Sequence, residues 1–313
     1  MGFLANDFAH FKKDFSGAPS FRLELSEDDP PYDEVPTRPA TVYTPRNVGL
    51  TEGARTYVDY SGRGLAVWDR QERIFRIYTR DPHLQYEASY LFLLSRIGEE
   101  LDQRRMHRIH GLALSYNGRA VLAVLPMGGG KSTLGAHLLK NPAFGFLSDD
   151  SPFIDAAGAV HAFPLRLGLL PGGEGEIPPK YLRTIQRMEF GPKHLVDYRY
   201  FASRIQASAE PGIVFLGKRS LGTECHIEPV STMEWSKSMV ANCVVGLGLY
   251  QGLEFVMRSN PAELFGKAGV AWSRWRNARQ LCRRSEVYHL ILGRDHDHNA
   301  RTVFDFVVRR LGK

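Results

Sequence analysis

Polar and apolar residues alternate in short runs near the beginning of the chain, take a helical spacing further on, and then return to short strands. Phe3, Leu4, Phe8, Phe11 and Phe15 recur at helical spacing, which predicts an opening amphipathic helix packed on the core. Phe21-Arg22-Leu23-Glu24-Leu25 alternates as a half-buried strand does, and Asp28 to Pro39, dense in acidic residues and prolines, reads as an exposed connection. Ala40 to Tyr43, Thr56 to Tyr60, Leu65 to Trp68 and Ile74 to Tyr78 predict a small antiparallel sheet, with Ser61 to Gly64 joining the middle pair. Leu84, Tyr90, Leu91, Leu94, Ile97 and Leu101 then mark a helix, and a domain seam falls between residues 80 and 105.

Beyond the seam the pattern changes. Arg108 to Tyr116 and Arg119 to Leu125 flank Asn117-Gly118, the strongest short hairpin signal. Pro126 to Gly130 is a glycine-rich turn that hands over to Lys131-Ser132-Thr133 at the head of a helix. A second apolar run, Phe144 to Leu147, ends in Ser148-Asp149-Asp150. Phe153 to Asp155 and Val160 to Phe163 predict another hairpin, followed by Leu165-Arg166-Leu167. Pro171 to Lys180 is glycine- and proline-rich, a surface loop in preference to a mobile lid. Residues 181 to 210 are charged and read as partly helical, Gly212 to Leu216 and Val287 to Leu292 as strands, and about Asn299 to Leu311 as a closing helix.

The chemistry concentrates around the glycine turn. Gly128, Gly129 and Gly130 permit backbone angles closed to other residues, so several main-chain N–H groups can face one anion, and the helix behind them adds the positive end of its dipole. Met127 to Thr133 therefore predicts a phosphate-binding loop, with Lys131 reaching the outer phosphates and the Ser132 hydroxyl on Mg²⁺. Asp149 and Asp150 end a neighbouring strand, where an open α/β sheet binds ligands.

Composition narrows the rest. With 43% hydrophobic residues the 313-residue chain is globular. Cys225, Cys243 and Cys282 are too scattered for disulfides or zinc and read as buried reduced thiols. The N-terminal residues lack the apolar core of a signal peptide, and Met239 to Met257, interrupted by Asn242, Gln251 and Glu254, reads as a core element; a cytoplasmic protein without a membrane partner follows. Net charge is +6, and the arginine-rich stretch from Trp272 to Arg284 reads as a solvated basic helix face with Trp272, Trp275 and Leu281 inward, which disfavours nucleic acid as a partner. Asp295-His296-Asp297-His298 lies in a turn without a third ligand pattern and is not favoured as a metal site.

Ile109-His110-Gly111, Asn117-Gly118, GGGKST, LSDD and Pro164-Leu165-Arg166, in this order, resemble the catalytic core of the HPr serine kinase/phosphorylase family, with phosphoenolpyruvate carboxykinase a more distant fold relative. The resemblance is strong over about residues 105 to 170, and residues 1 to 100 do not resemble the N-terminal domain of those enzymes. It implies an α/β fold: a P-loop kinase core with a mixed sheet over residues 105–313, plus a smaller β-rich region over residues 1–104. Also implied are ATP or another phosphoryl donor, Mg²⁺ held by Ser132 and Asp150, Asp149 as the base, His110 beside the acceptor or γ-phosphate, and Arg166 against developing negative charge. The acceptor is a hydroxyl, on a serine of a peptide or protein or on a small molecule, and such proteins often form homo-oligomers. Leu125 and Met127 stand where the family has Gly and Ser, which leaves the β-phosphate contacts open, and no copy of the segment that engages HPr is present. A kinase is the leading reading; a nucleotide-binding regulatory module and a nucleic-acid-stimulated ATPase stay as alternatives.

Overall fold

A computed structural model describes residues 2–14, 16–173, 177–187, 191–245 and 261–312. It has mixed α/β architecture and divides into two compact units, one of Met1–Ile97, Thr184–Lys193 and Gln251–Glu263, the other of Gly98–Arg183, His194–Tyr250 and Leu264–Lys313.

In the first unit the opening helix is short. Helix α1 (Gly2–Asp7) gives way to a 3₁₀ turn at Ala9–Phe11, so the expected opening helix forms but is short, with Leu4 and Phe8 half-buried and Phe3 and Phe11 left 52% and 41% exposed; Phe15 lies outside the described residues. Six strands follow: β1 (Arg22–Ser26), β2 (Val42–Tyr43), β3 (Val48–Glu52), β4 (Arg55–Asp59), β5 (Leu65–Asp69) and β6 (Ile74–Tyr78), in the order β1-β6-β5-β4-β3-β2. Neighbours from β2 to β6 are antiparallel, as expected, whereas β1 lies parallel to β6 because the long acidic connection carries the chain across the sheet first. Helix α2 (Pro82–Gln103) covers the sheet with Leu84, Ala88 and Phe92, an i, i+4, i+8 stripe that is fully buried. Phe92 stacks on Phe75 of β6 at 4.1 Å, and burying each such ring stabilises by about 1.5–3 kcal/mol.

The second unit is built on a larger sheet. Its strands are β7 (His107–Arg108), β8 (Leu112–Tyr116), β9 (Arg119–Val124), β10 (Phe144–Ser148), β11 (Phe153–Ile154), β12 (Val160–His161), β16 (Ser208–Arg219), β17 (His226–Pro229) and β18 (Glu286–Leu292); β13 (Arg166–Leu169), β14 (Leu182–Arg187) and β15 (Gly191–Asp197) form a separate three-stranded sheet, of which β14 from Thr184 on and the start of β15 are counted with the first unit. The helices are α3 (Lys131–Leu138), α4 (Thr232–Met239), α5 (Pro261–Arg283) and α6 (His296–Leu311). Asn117 and Gly118 both have positive φ, 49° and 72°, which is the backbone a two-residue hairpin turn needs to match the strand twist, and Tyr116 pairs with Arg119 across it.

Strand β9 shows why the unit has two layers of helix. Val121, Ala123 and Leu125 point into one core with Leu134 and Leu138 of α3 and Val303 and Val307 of α6. Ala120, Leu122 and Val124 point to the other face, with Trp235 and Met239 of α4 and Ala278 and Leu281 of α5. A strand buried on both faces reads as a continuous apolar run, as Arg119–Val124 does.

Several expectations change in detail. Among the described residues of 181–210 most are strand, with helical character only at Tyr181, the end of a 3₁₀ turn, and in the 3₁₀ segment Tyr198–Arg204. The run from Arg108 to Tyr116 is interrupted at Ile109–Gly111, so β7 pairs with β11 while β8 pairs with β9. Trp272 is 67% exposed rather than inward, although Leu281 is buried and Trp275 stacks on Trp235. Part of the loop at residues 171–180 and of the apolar stretch at 239–257 lies outside the described residues; Met239 and Cys243 are buried. Among the described residues no helix is long and apolar enough to cross a membrane. The three cysteines are buried and free, and burial pushes Cys225 up to about 11 and Cys243 and Cys282 to about 12, which keeps the thiols protonated and unreactive at neutral pH.

Candidate active site

Strand direction decides which loops meet. Strand β8 is antiparallel to both β9 and β10, so β9 and β10 run the same way, and β16 and β18 run parallel to β9. The C-terminal ends of β9, β10, β16 and β18 and the N-terminal end of β8 therefore share one edge of the sheet. The glycine loop, the Asp149-Asp150 pair and His110 stand at that edge because each sits just beyond one of these ends.

The loop itself needs its glycines. Gly128 and Gly130 have φ of 73° and 94°, in the left-handed region, and Gly130 is the N-cap of α3 without any side-chain cap. The first turn of α3 thus offers main-chain N–H groups with no side chain over them, the arrangement that receives anions at helix N-termini.

Lys131, the first residue of α3, is only 5% exposed. Its Nζ lies 2.8 Å from His110 Nε2, 3.0 Å from the Leu125 carbonyl and 3.3 Å from the Pro126 carbonyl, so three ammonium donors meet three acceptors. An ammonium only donates, so His110 accepts through Nε2 and carries its proton on Nδ1. Asp150 Oδ1 stands 3.8 Å from the same nitrogen.

One residue further, the Ser132 hydroxyl donates to Asp149 Oδ2 at 2.8 Å, and the Gly168 N–H in β13 donates to the same oxygen at 3.0 Å. Asp149 is thereby fixed by α3 on one side and β13 on the other. Asp150 is held differently. Its side chain is 43% exposed, and its φ of 70° places a non-glycine residue in the left-handed region, a strained geometry that clusters at functional sites.

The structure thus brings His110, Lys131, Ser132, Asp149 and Asp150 together by direct contacts, with Met127 to Gly130 and Thr133 contiguous in the chain. Arg166 opens β13 two residues ahead of Gly168, half-buried. Asp295, by contrast, caps α6 by accepting the His298 N–H at 2.9 Å, and Asp297 pairs with His137 at 2.9 Å. Helix α6 accordingly begins at His296, earlier than its apolar spacing suggests, and among the described residues no group of three or more His, Cys, Asp or Glu side chains could hold a metal ion.

A cleft of about 470 Å³ adjoins the loop. It is lined by His110, Leu125 and Met127 from the site just described and by Lys218, Lys237 and His289 from β16, α4 and β18, among others. None of the last three stands out in the sequence. The available signal is the ending of the apolar run Gly212–Leu216 in Gly217-Lys218-Arg219, a charged strand end like that after β10.

A scan of the chain against protein-family models matches none of them, and no curated protein is significantly similar to it.

Proposed function

We propose that the second unit is a phosphotransferase with a P-loop kinase core of the HPr-kinase-like type, moving the terminal phosphoryl group of ATP to a hydroxyl acceptor. One observation carries the reading: a buried lysine, a serine–aspartate pair and a second aspartate converge beside a glycine loop at a single sheet edge.

Phosphoryl transfer asks a protein for positioning and charge neutralisation more than for covalent chemistry. The N–H groups of Gly128, Gly130, Lys131 and Ser132 supply donors to phosphate oxygens, that of Gly129 being bonded to the Pro126 carbonyl at 2.9 Å, and Lys131 adds a positive charge at the same point. Ser132 and Asp149 are the pair suited to Mg²⁺, which usually keeps waters and takes one or two carboxylates with the substrate's phosphates; when bound it draws off negative charge from those oxygens. Because Ser132 bonds Asp149 and not Asp150, this division reverses the one implied by the family resemblance. Asp150, more exposed and not tied to the serine, is then the base. It accepts the acceptor's hydroxyl proton as the new O–P bond forms at the γ-phosphorus and the bond to the bridging β–γ oxygen breaks, releasing ADP.

Calorimetric titration with Mg·ATP tests this, with slow hydrolysis as the second readout. Asp150→Asn is expected to keep nucleotide affinity and to lower turnover by about 10²- to 10⁴-fold, whereas Asp149→Asn should weaken the Mg²⁺ dependence of binding. A wild-type protein that fails to bind Mg·ATP overturns the proposal, and binding without turnover favours the regulatory module instead.

A further inference from the structure

The cleft beside the loop identifies a class of acceptor. Two of its lining residues, Lys218 at the end of β16 and Lys237 in α4, make no ion pair or side-chain hydrogen bond among the described residues. The one lining carboxylate, Glu234, is engaged elsewhere. It receives the Ser231 N–H at 3.1 Å and the Ser231 hydroxyl at 2.7 Å in a capping box, and faces His289 Nε2 at 3.4 Å, contacts that hold it down to about 2. Two lysines against one glutamate leave a net positive lining, and none of the lining residues is Phe, Tyr or Trp. A base-binding pocket would gain from an aromatic platform; an anion gains from uncommitted ammonium groups.

Location supplies the second part. His110 and Met127 line the cleft, and His110 contacts Lys131 at the head of α3, so the cleft borders the glycine loop on the His110 side. Leu125 and Met127, the two positions that depart from the usual glycine-loop pattern, also line it. The Leu125 side chain is turned into the core with α3 and α6, over Gly217, where a Cβ would fall 2.1 Å from Leu125 Cγ, whereas Met127 is 51% exposed. The volume lies within the range of small-molecule sites, roughly 300–1,000 Å³.

We propose that the acceptor is a small hydroxylated anion, a hydroxy-carboxylate or hydroxy-phosphate, whose charged group is held by Lys218 and Lys237 while its hydroxyl is directed toward the glycine loop at His110 and Met127. This rests on the phosphotransferase reading. Met127 then shapes the apolar wall beside the acceptor's carbon skeleton and sets its specificity.

The test uses the full chain saturated with a non-hydrolysable ATP analogue and Mg²⁺, titrated calorimetrically with D-glycerate, glycerol 3-phosphate and, as the neutral control, glycerol. At least one anion should bind about tenfold or more tightly than glycerol, and the K218Q/K237Q double variant should lose that advantage while binding the nucleotide analogue within about twofold of wild type. The two anions distinguish a carboxylate from a phosphate group. Both lysines are exposed, so a matching thermal melt checks that the variant is folded. The proposal is overturned if neither anion outbinds glycerol, if the advantage survives the double substitution, or if the variant loses the nucleotide, which would assign the cleft to the donor. Failure of wild type to bind the nucleotide analogue counts against the phosphotransferase reading instead, and the same anion titration on the nucleotide-free protein still decides whether the lysines form an anion site.

Discussion

On the proposed phosphotransferase function, Lys131→Met should lower Mg·ATP turnover by about 10²- to 10³-fold, the loss expected when one preorganised charge donor is removed from a phosphoryl-transfer site. Lys131→Arg should fail nearly as badly although it keeps the charge. The ammonium sits at one point among His110 Nε2 and the Leu125 and Pro126 carbonyls, all within 3.3 Å, and a planar guanidinium cannot present three donors from a single nitrogen. Steady-state hydrolysis and calorimetric affinity for Mg·ATP measure both variants. An arginine variant with wild-type turnover would show that the nest around Lys131 has no part in transfer.

The second large effect concerns stability. Asp102, near the end of α2, accepts from His107 Nδ1 at 2.7 Å and from Arg274 Nη2 at 2.5 Å, and His107 Nε2 lies 2.8 Å from the Ser273 hydroxyl. His107 is fully buried and the Arg274 side chain only 15% exposed. Asp102→Ala would leave a buried guanidinium without its counter-charge, so a cost of about 3–5 kcal/mol is expected. Burial alone would raise the Asp102 pKa, but hydrogen bonds from His107 and Arg274 outweigh it and the net direction is down. A folded pKa below the unfolded value of about 3.9 means that the contribution is fully present above that value and is lost as pH falls through the folded pKa. Denaturant midpoints at pH 7 and pH 3 should therefore show the gap between wild type and Asp102→Asn narrowing in acid. A gap that is constant, or a loss below about 1 kcal/mol for the alanine variant, would contradict this account of the network.

That network also explains part of the basic C-terminal stretch. Arg274 turns inward to Asp102, Arg284 pairs with Glu210, and Arg310 pairs with Glu286, so these charges are committed within the unit. No run of residues announces this, because the partners lie far away in the chain.

What the chain encodes locally was readable from it. The Asn117-Gly118 turn, the doubly buried strand β9, the glycine-to-helix junction at Gly130-Lys131 and the strand ending in Asp149-Asp150 each depend on neighbours a few residues apart, through backbone angles, side-chain period and helix capping. Strands β14 and β15 were not readable in this way, since charged residues carry no alternation strong enough to outweigh a helical reading, and β3 was hidden by Gly49 in the middle of its short pattern. Tertiary structure alone decided that Ser132 pairs with Asp149, that Lys131 rests on His110, and that Lys218 and Lys237 share a cleft with Met127. Each of those meetings is set by strand direction and register across the sheet, which join positions remote in sequence through packing that no single segment specifies.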